Sequence, residues 1–250
     1  MGELGAIYEE TRARIVEMVL ESDEEVTVPA CPEWSVGDLI AHMTGNCSDI
    51  IAGTVDGAAT TEWTARQVAQ RKGRSVADVL LEWDEAAPQV APLLDDFPGR
   101  YGQMLVADIV SHEHDLRGAL ARPGARDSAG VSVALDFLVQ VFLGTGATVL
   151  GLGPLEVRAG SLQWITGASG PATGDLDSWR DALMPDEETS QNGATPGARL
   201  SAEPFELMRS VAGRRSAAQI RRLEWSVDPE PYLPIFGFGP FETRSSDLIE

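Results

Sequence analysis

The chain has 250 residues, enough for one large domain or two small ones around a buried core, and its 43% hydrophobic and 23% charged residues are those of a soluble globular protein. Nineteen Lys and Arg stand against 39 Asp and Glu, a formal charge of −20 that argues against nucleic acid or an anionic membrane surface as partner. The only two cysteines, Cys31 and Cys47, make neither a CxxC pair nor a disulfide framework, which points to a reducing, cytoplasmic setting.

Met1-Gly2-Glu3-Leu4 shows no basic stretch followed by an apolar run, so no signal peptide is expected. Residues 4–21 carry Leu4, Ile7, Ile15, Met18 and Val19 near the helical period. A loop with Pro29 and Pro32 follows. Ser35-Val36-Gly37-Asp38 reads as a capping box that opens a helix through about Ile51. A Gly/Thr-rich loop leads to a short helical piece from Glu62 to Arg71. Ser75 caps the next helix, which carries Val79, Leu80, Trp83 and Ala87 on one side and runs to about Leu94. After the Pro98-Gly99 break, Tyr101 to Leu120 is predicted helical and is stopped by Pro123-Gly124.

Between Asp127 and Glu156 the only charge is Asp136, an apolar run that approaches the length of a membrane span. Asp136, Gln140 and Thr145 fall inside it, glycines interrupt it, and no Lys/Arg flank marks a cytoplasmic end. Val131 to Leu150 is therefore expected as a helix buried in a soluble core. These helices predict a bundle over residues 1–152.

The pattern changes after Gly151-Leu152-Gly153-Pro154. Residues 155–159 and 162–165 read as two short strands joined at Gly160, and residues 198–202 as a third. Residues 167–197 read as a long polar loop, within which Pro185-Asp186-Glu187-Glu188 is a solvated acidic stretch. A helix is expected to start at Ala202-Glu203-Pro204, with Phe205, Leu207, Met208 and Val211 apolar, and a shorter one runs from Ser216 to Leu223. The expectation is an α+β protein: a helical bundle at 1–152 and a small α+β domain at 153–250.

The chain has three histidines. Asp108 and His112 are one turn apart, about 40° round the same helix face, so a carboxylate and an imidazole are able to grip one ion, with His42 from another helix as third ligand. Two nitrogens and one oxygen leave an open coordination position, the mark of a catalytic site. His114 lies about 200° round from His112 and is expected to point away or to sit behind the ligands. The same spacing also suits helix-surface pairs or a buried polar network. Asp38 repeats the spacing to His42 but is accounted for as the capping-box acid. Cys47, about 140° round from His42, and Cys31, in the Pro loop, are read as structural, and Trp34 and Trp83 as bundle packing.

Residues Val28-Pro29-Ala30-Cys31-Pro32-Glu33-Trp34-Ser35-Val36-Gly37-Asp38-Leu39-Ile40-Ala41-His42 resemble the opening of the mycothiol-dependent maleylpyruvate isomerase family, part of the DinB-like superfamily. The stretch from Asp108 through His112, Arg117 and Gly118 to Gly124 resembles its second motif. Gly213-Arg214-Arg215-Ser216-Ala217-Ala218-Gln219 and Trp225-Ser226-Val227-Asp228-Pro229 are similar to the C-terminal domain of many members. The resemblance implies a four-helix DinB-like bundle that binds a divalent metal, usually zinc, through His42, Asp108 and His112. Where the family acid is often Glu, Asp108 is one methylene shorter and draws the ion toward the helix. The resemblance further implies mycothiol as a thiol cofactor, held as a thiolate that attacks an electrophile, with isomerisation or thiol transfer as the reaction. It also implies a functional arginine in the C-terminal domain, for which Arg214 is the best match, with a substrate carboxylate as its target. Two other readings stand beside a metal-dependent thiol enzyme. One is a metallohydrolase in which Glu113 or Asp115 serves as base. The other is a non-catalytic protein that binds a metal or small ligand.

Overall fold

The computed structural model describes residues 1–167, 174–175, 178–184 and 195–250. Most of the polar loop expected at 167–197, including the acidic stretch from Pro185 to Glu188, lies outside the described residues. The protein mixes helices with small sheets and divides into two compact units. The first comprises Met1–Phe97, Asp108–Ala125 and Ile249–Glu250; the second comprises Pro98–Ala107 and Arg126–Leu248. This division departs from the boundary expected at 152/153. The apolar segment Ala129–Val149 groups with the C-terminal residues, because the helix at Pro204–Val211 packs on it and buries a side that a polar neighbour would leave exposed.

In the first unit, helix α1 (Glu3–Val19) is followed by a hairpin of β1 (Thr27–Val28) and β2 (Cys31–Ser35). The stretch from Pro29 to Pro32, expected as a loop, is thus a tight turn whose second arm already pairs. Strand β2 runs without a break into helix α2 (Val36–Ala52), because Ser35 makes the anticipated capping box: Asp38 N–H donates to Ser35 Oγ at 3.2 Å and Ser35 N–H to Asp38 Oδ2 at 2.9 Å. Gly53, at φ +67°, supplies the left-handed residue that ends α2. Helices α3 (Thr61–Arg71) and α4 (Val76–Val90) follow, capped by Thr60 and Ser75, and a 3₁₀ turn at Ala91–Asp96 extends α4.

The core of this unit lies between α2 and α4, where Leu39, Ile40 and Met43 meet Val79, Leu80 and Trp83, all buried. Trp83 Nε1 donates to Tyr8 Oη at 3.0 Å, and Tyr8 Oη lies 3.1 Å from Cys47 Sγ, so each polar atom of this buried trio has a partner. The carboxylate of Asp95 accepts from the N–H groups of Leu4 and Gly5 at 3.1 and 3.3 Å and closes the open start of α1. Helix α5 (Tyr101–Ala119) contributes residues 101–107 to the second unit and 108–119 to the first.

In the second unit, the segment expected as one helix from Val131 to Leu150 is helix α6 (Ala129–Leu138), a π-helical turn at Val139–Leu143, and α7 (Gly144–Val149). Such a turn inserts a residue into the helical ladder without ending it, which apolar periodicity does not reveal. Asp136, the lone charge of this run, accepts from Trp164 Nε1 at 2.8 Å and Gln140 Nε2 at 2.6 Å. Among the described residues this is the one helix long and apolar enough to cross a membrane, and 67% of it is buried within the protein. Strands β3 (Leu155–Ala159), β4 (Leu162–Thr166), β5 (Ala198–Ala202) and β6 (Glu224–Trp225) form a sheet in the order β4-β3-β5-β6. β3 pairs antiparallel with β4 across a turn at Gly160, whose φ is +59°, and parallel with β5. Leu155, Val157 and Ala159 of β3 are fully buried, while Glu156, facing the other way, gathers Arg158 and Arg199. Helices α8 (Pro204–Val211) and α9 (Ala217–Arg221) complete the unit; α9 opens on a capping box between Ser216 and Gln219.

Candidate metal centre

The site lies in the first unit, on α2 and the adjoining part of α5. Ser35 sets where α2 begins, and His42 follows on its second turn, facing α5. On α5, Asp108 and His112 share a face as their spacing demands. His42 Nε2 lies 3.4 Å from Asp108 Oδ1, and His112 Nε2 lies 3.5 Å from the same oxygen. The two imidazole rings stand nearly perpendicular with centroids 5.2 Å apart. One ligand atom from each of the three residues falls within 4.8 Å of the others, the separation of atoms that share one ion. Both histidines are buried, whereas the Asp108 side chain is 30% exposed, so the cluster opens to solvent on the carboxylate side.

The other ring nitrogens are also held. His112 Nδ1 lies 3.0 Å from Oδ2 of the fully buried Asp115, and His42 Nδ1 lies 2.7 Å from Gln67 Oε1. A ring that donates from Nδ1 presents its Nε2 lone pair, which is the arrangement of metal-ligating histidines. Asn46 Nδ2 donates to Asp108 Oδ2 at 2.9 Å, leaving Oδ1 to face the histidines. Burial pushes the carboxyl of Asp108 up, but the two imidazoles outweigh it and hold the group well below the usual carboxylate range. Burial likewise pushes His112 down, and Asp108 with Asp115 outweighs it and holds the imidazole well above its ordinary value.

His42, Asp108 and His112 thus come together as their spacing suggested. His114 is buried and lies outside the ligand group. Cys47 is remote in role as expected: it sits in the core trio, and burial pushes its thiol up to about 11. Two residues of the hairpin also stand at the cluster. Cys31, read as structural, donates from Sγ to Asp115 Oδ2 at 3.5 Å and forms a second close group with His112 and Asp115. Trp34, read as bundle packing, has its indole 5.3 Å from the His42 ring and 6.1 Å from the His112 ring. Both lie on β2, whose pairing with β1 gives them a direction that a free loop would lack. Trp83 is bundle packing as read.

Glu113 and Asp115, the bases a hydrolase would need, are both engaged. Glu113, fully buried, takes Arg14 Nε and Nη2 at 2.8 Å each and Arg117 at 3.0 and 2.8 Å. Burial pushes the Glu113 carboxyl up, and the two guanidinium groups more than reverse that. In the second unit, Arg214 Nη1 donates to the carbonyl of Ala212 at 2.7 Å. Its neighbour Arg215 is buried and paired with Glu206 at 2.8 and 3.0 Å, which marks Arg215 as a structural cation.

Sequence reasoning missed Asn46, Asp49, Gln67 and Trp63. Asn46 and Asp49 stand four and seven residues after His42, the same-face spacing that would have found them. Gln67 and Trp63 carry no such signal, since α3 meets α2 only in the folded chain; the Trp63 ring lies edge-on, 6.4 Å from His42.

Residues 8–117 match the family model described as the mycothiol maleylpyruvate isomerase N-terminal domain. The match begins within α1, ends within α5 and contains all three clustered ligand residues. Comparison with curated proteins and with solved structures found no match. The stretch 8–117, where both histidines and Asp108 converge, is similar to the mycothiol maleylpyruvate isomerase N-terminal domain.

Proposed function

We propose that the protein is a metal-dependent, mycothiol-utilising enzyme that performs thiol transfer or isomerisation on an electrophilic small molecule in the cytoplasm. The likeness of residues 8–117 to the mycothiol maleylpyruvate isomerase N-terminal domain supports a mycothiol-related role. The observation that carries the finer reading is the convergence of two imidazole Nε2 atoms on Asp108 Oδ1, each ring held from behind by an acceptor. Two imidazoles and one carboxylate, open to solvent on one side, suit zinc with an exchangeable position. We assign His42, Asp108 and His112 as the ligands, on what is best read as a DinB-like bundle of α1, α2, α4 and α5.

A divalent cation bound by these residues supplies the Lewis acidity that keeps a small thiol ionised at neutral pH. The chain's own residues do the rest. Asp115 and Gln67 keep the rings aimed, Asn46 keeps the carboxylate turned, and the indoles of Trp34 and Trp63 shield the His42 ring from water. Arg214 is assigned to a substrate carboxylate, for which its planar fork of donors is suited. The engagement of Glu113 by two arginines and of Asp115 by His112 favours the thiol reading over the hydrolase one.

The test is metal content by mass spectrometry on protein purified without nickel or added zinc, beside His112→Ala, followed by calorimetric titration with mycothiol. About one zinc per chain, lost in the variant, together with thiol binding that requires the metal, is the expected result. No metal after reconstitution refutes the metal-thiol reading. Metal without thiol binding favours a non-catalytic binding protein.

A further inference from the structure

Resting on the ligand assignment above, we infer that Gln67 is a positioning residue that fixes the tautomer and direction of His42, and that the bare backbone of Gly45 exists to admit it.

One chain of hydrogen bonds links these residues, and it has only one consistent polarity. Gln67 is fully buried, and its amide touches three residues of α2. Nε2 lies 2.9 Å from Asp49 Oδ2 and 3.1 Å from Asn46 Oδ1, and Oε1 lies 2.7 Å from His42 Nδ1. Asp49 is an acceptor only, held as such by Thr54 Oγ1 at 2.9 Å and Arg66 Nη2 at 3.2 Å. The Gln67 NH2 must therefore face Asp49, and its oxygen must face His42. That oxygen cannot donate, so the proton between them belongs to His42 Nδ1, and Nε2 is left as the ring nitrogen that faces Asp108. The far end agrees. With its second hydrogen Gln67 donates to Asn46 Oδ1, which turns Asn46 Nδ2 onto Asp108 Oδ2. One buried amide thus orders the direction of two of the three ligands, with acceptor-only carboxylates closing the chain at Asp49 and Asp108.

Gly45 makes the approach possible. A Cβ built there would lie 2.7 Å from both Cβ and Cγ of Gln67, closer than such atoms come. Gly45 is helical and has no positive φ to require glycine, so the close passage of α3 is what the small residue serves.

The test uses the full chain and four variants: Gln67→Leu, Gln67→Glu, Gln67→Glu with Asp49→Asn, and Gly45→Ala. Leucine keeps the volume and removes the acceptor. Glutamate keeps the acceptor but sets two carboxylates face to face, and the added Asp49→Asn change then restores a donor between positions 49 and 67. Zinc affinity is read by chelator competition, and the imidazole N–H of His42 by proton and nitrogen NMR in zinc-loaded and metal-free protein. The expected result is an exchange-protected His42 Nδ1–H in the wild type, lost in Gln67→Leu, with zinc affinity about 10- to 100-fold weaker in Gln67→Leu, Gln67→Glu and Gly45→Ala. The double variant recovers part of that affinity, because a donor again stands between positions 49 and 67 while Asn46 Oδ1 still faces a carboxylate oxygen. If Gln67→Leu does not fold, the Gln67→Glu pair with and without Asp49→Asn decides. Unchanged zinc affinity and an unchanged His42 N–H signal in the variants, or no recovery in the double variant, overturn the inference. A wild type that takes up no zinc refutes the ligand assignment instead, while the N–H signal in metal-free protein still reports whether Gln67 holds His42.

Discussion

Glu113 distinguishes a structural acid from a chemical one, next to the proposed ligand His112. In the Glu113→Gln variant one carboxylate oxygen is replaced by an amide donor, set against guanidinium groups that have nothing to accept it. The carboxylate now receives four N–H bonds of 2.8 to 3.0 Å from Arg14 and Arg117 and is itself fully buried. Removing one partner of a fully buried ion pair costs about 3–5 kcal/mol. Here the side chains of Arg14 and Arg117 keep 28% and 16% of their exposure, and water at those arginines recovers part of the loss, so Glu113→Gln is expected to cost about 2–4 kcal/mol. At roughly 2–4 °C per kcal/mol for a chain of this size, the melting temperature falls by about 5–15 °C. The assay is urea denaturation of both proteins, with zinc content measured alongside and expected to be unchanged. The pH dependence has a definite sign. The arginines hold Glu113 below the ordinary glutamate value, so its contribution is complete above that value and is lost as pH falls through the lowered one. The gap between wild type and variant therefore closes below about pH 4. A variant within about 0.5 kcal/mol of wild type would refute this reasoning, and one that also lost activity at full zinc content would return Glu113 to the chemistry.

Two further outcomes are expected. Native protein at pH 8 should react with a thiol reagent at Cys31 only, because Cys47 is fully buried and its thiol, pushed up to about 11, is ionised to only about one part in a thousand. Cys31→Ser should abolish that reaction until the chain unfolds, and two fast thiols in the folded wild type would contradict the placement of Cys47. Arg214→Ala should raise KM for a carboxylate-bearing electrophile about 10-fold or more with zinc content intact; an unchanged KM would remove Arg214 from substrate binding.

Much of the local structure was legible in the residues alone. Ser35 with Asp38, Thr60, Ser75, and Ser216 with Gln219 are local capping signals, and each helix starts where its cap stands. Asp108 and His112 share a helix face through backbone geometry that no tertiary contact has to supply. The π-helical turn at Val139–Leu143 was not legible, since it leaves the apolar pattern unbroken. Nor was the grouping of Ala129–Val149 with C-terminal residues, which depends on which partner covers its apolar sides.

The chain by itself determined where the capped helices begin, the acidic charge, and the pairing of one carboxylate with one imidazole across a single turn, because these depend on composition or on neighbours within about four residues. Only the tertiary structure decided that His42 meets that pair, that Cys31 and Trp34 stand beside it, and that Gln67 reaches His42 over Gly45. The physical reason is that those contacts join residues 8 to 84 positions apart, most of them more than 20, so they are set by how helices and a hairpin pack, and no periodicity along the chain encodes them.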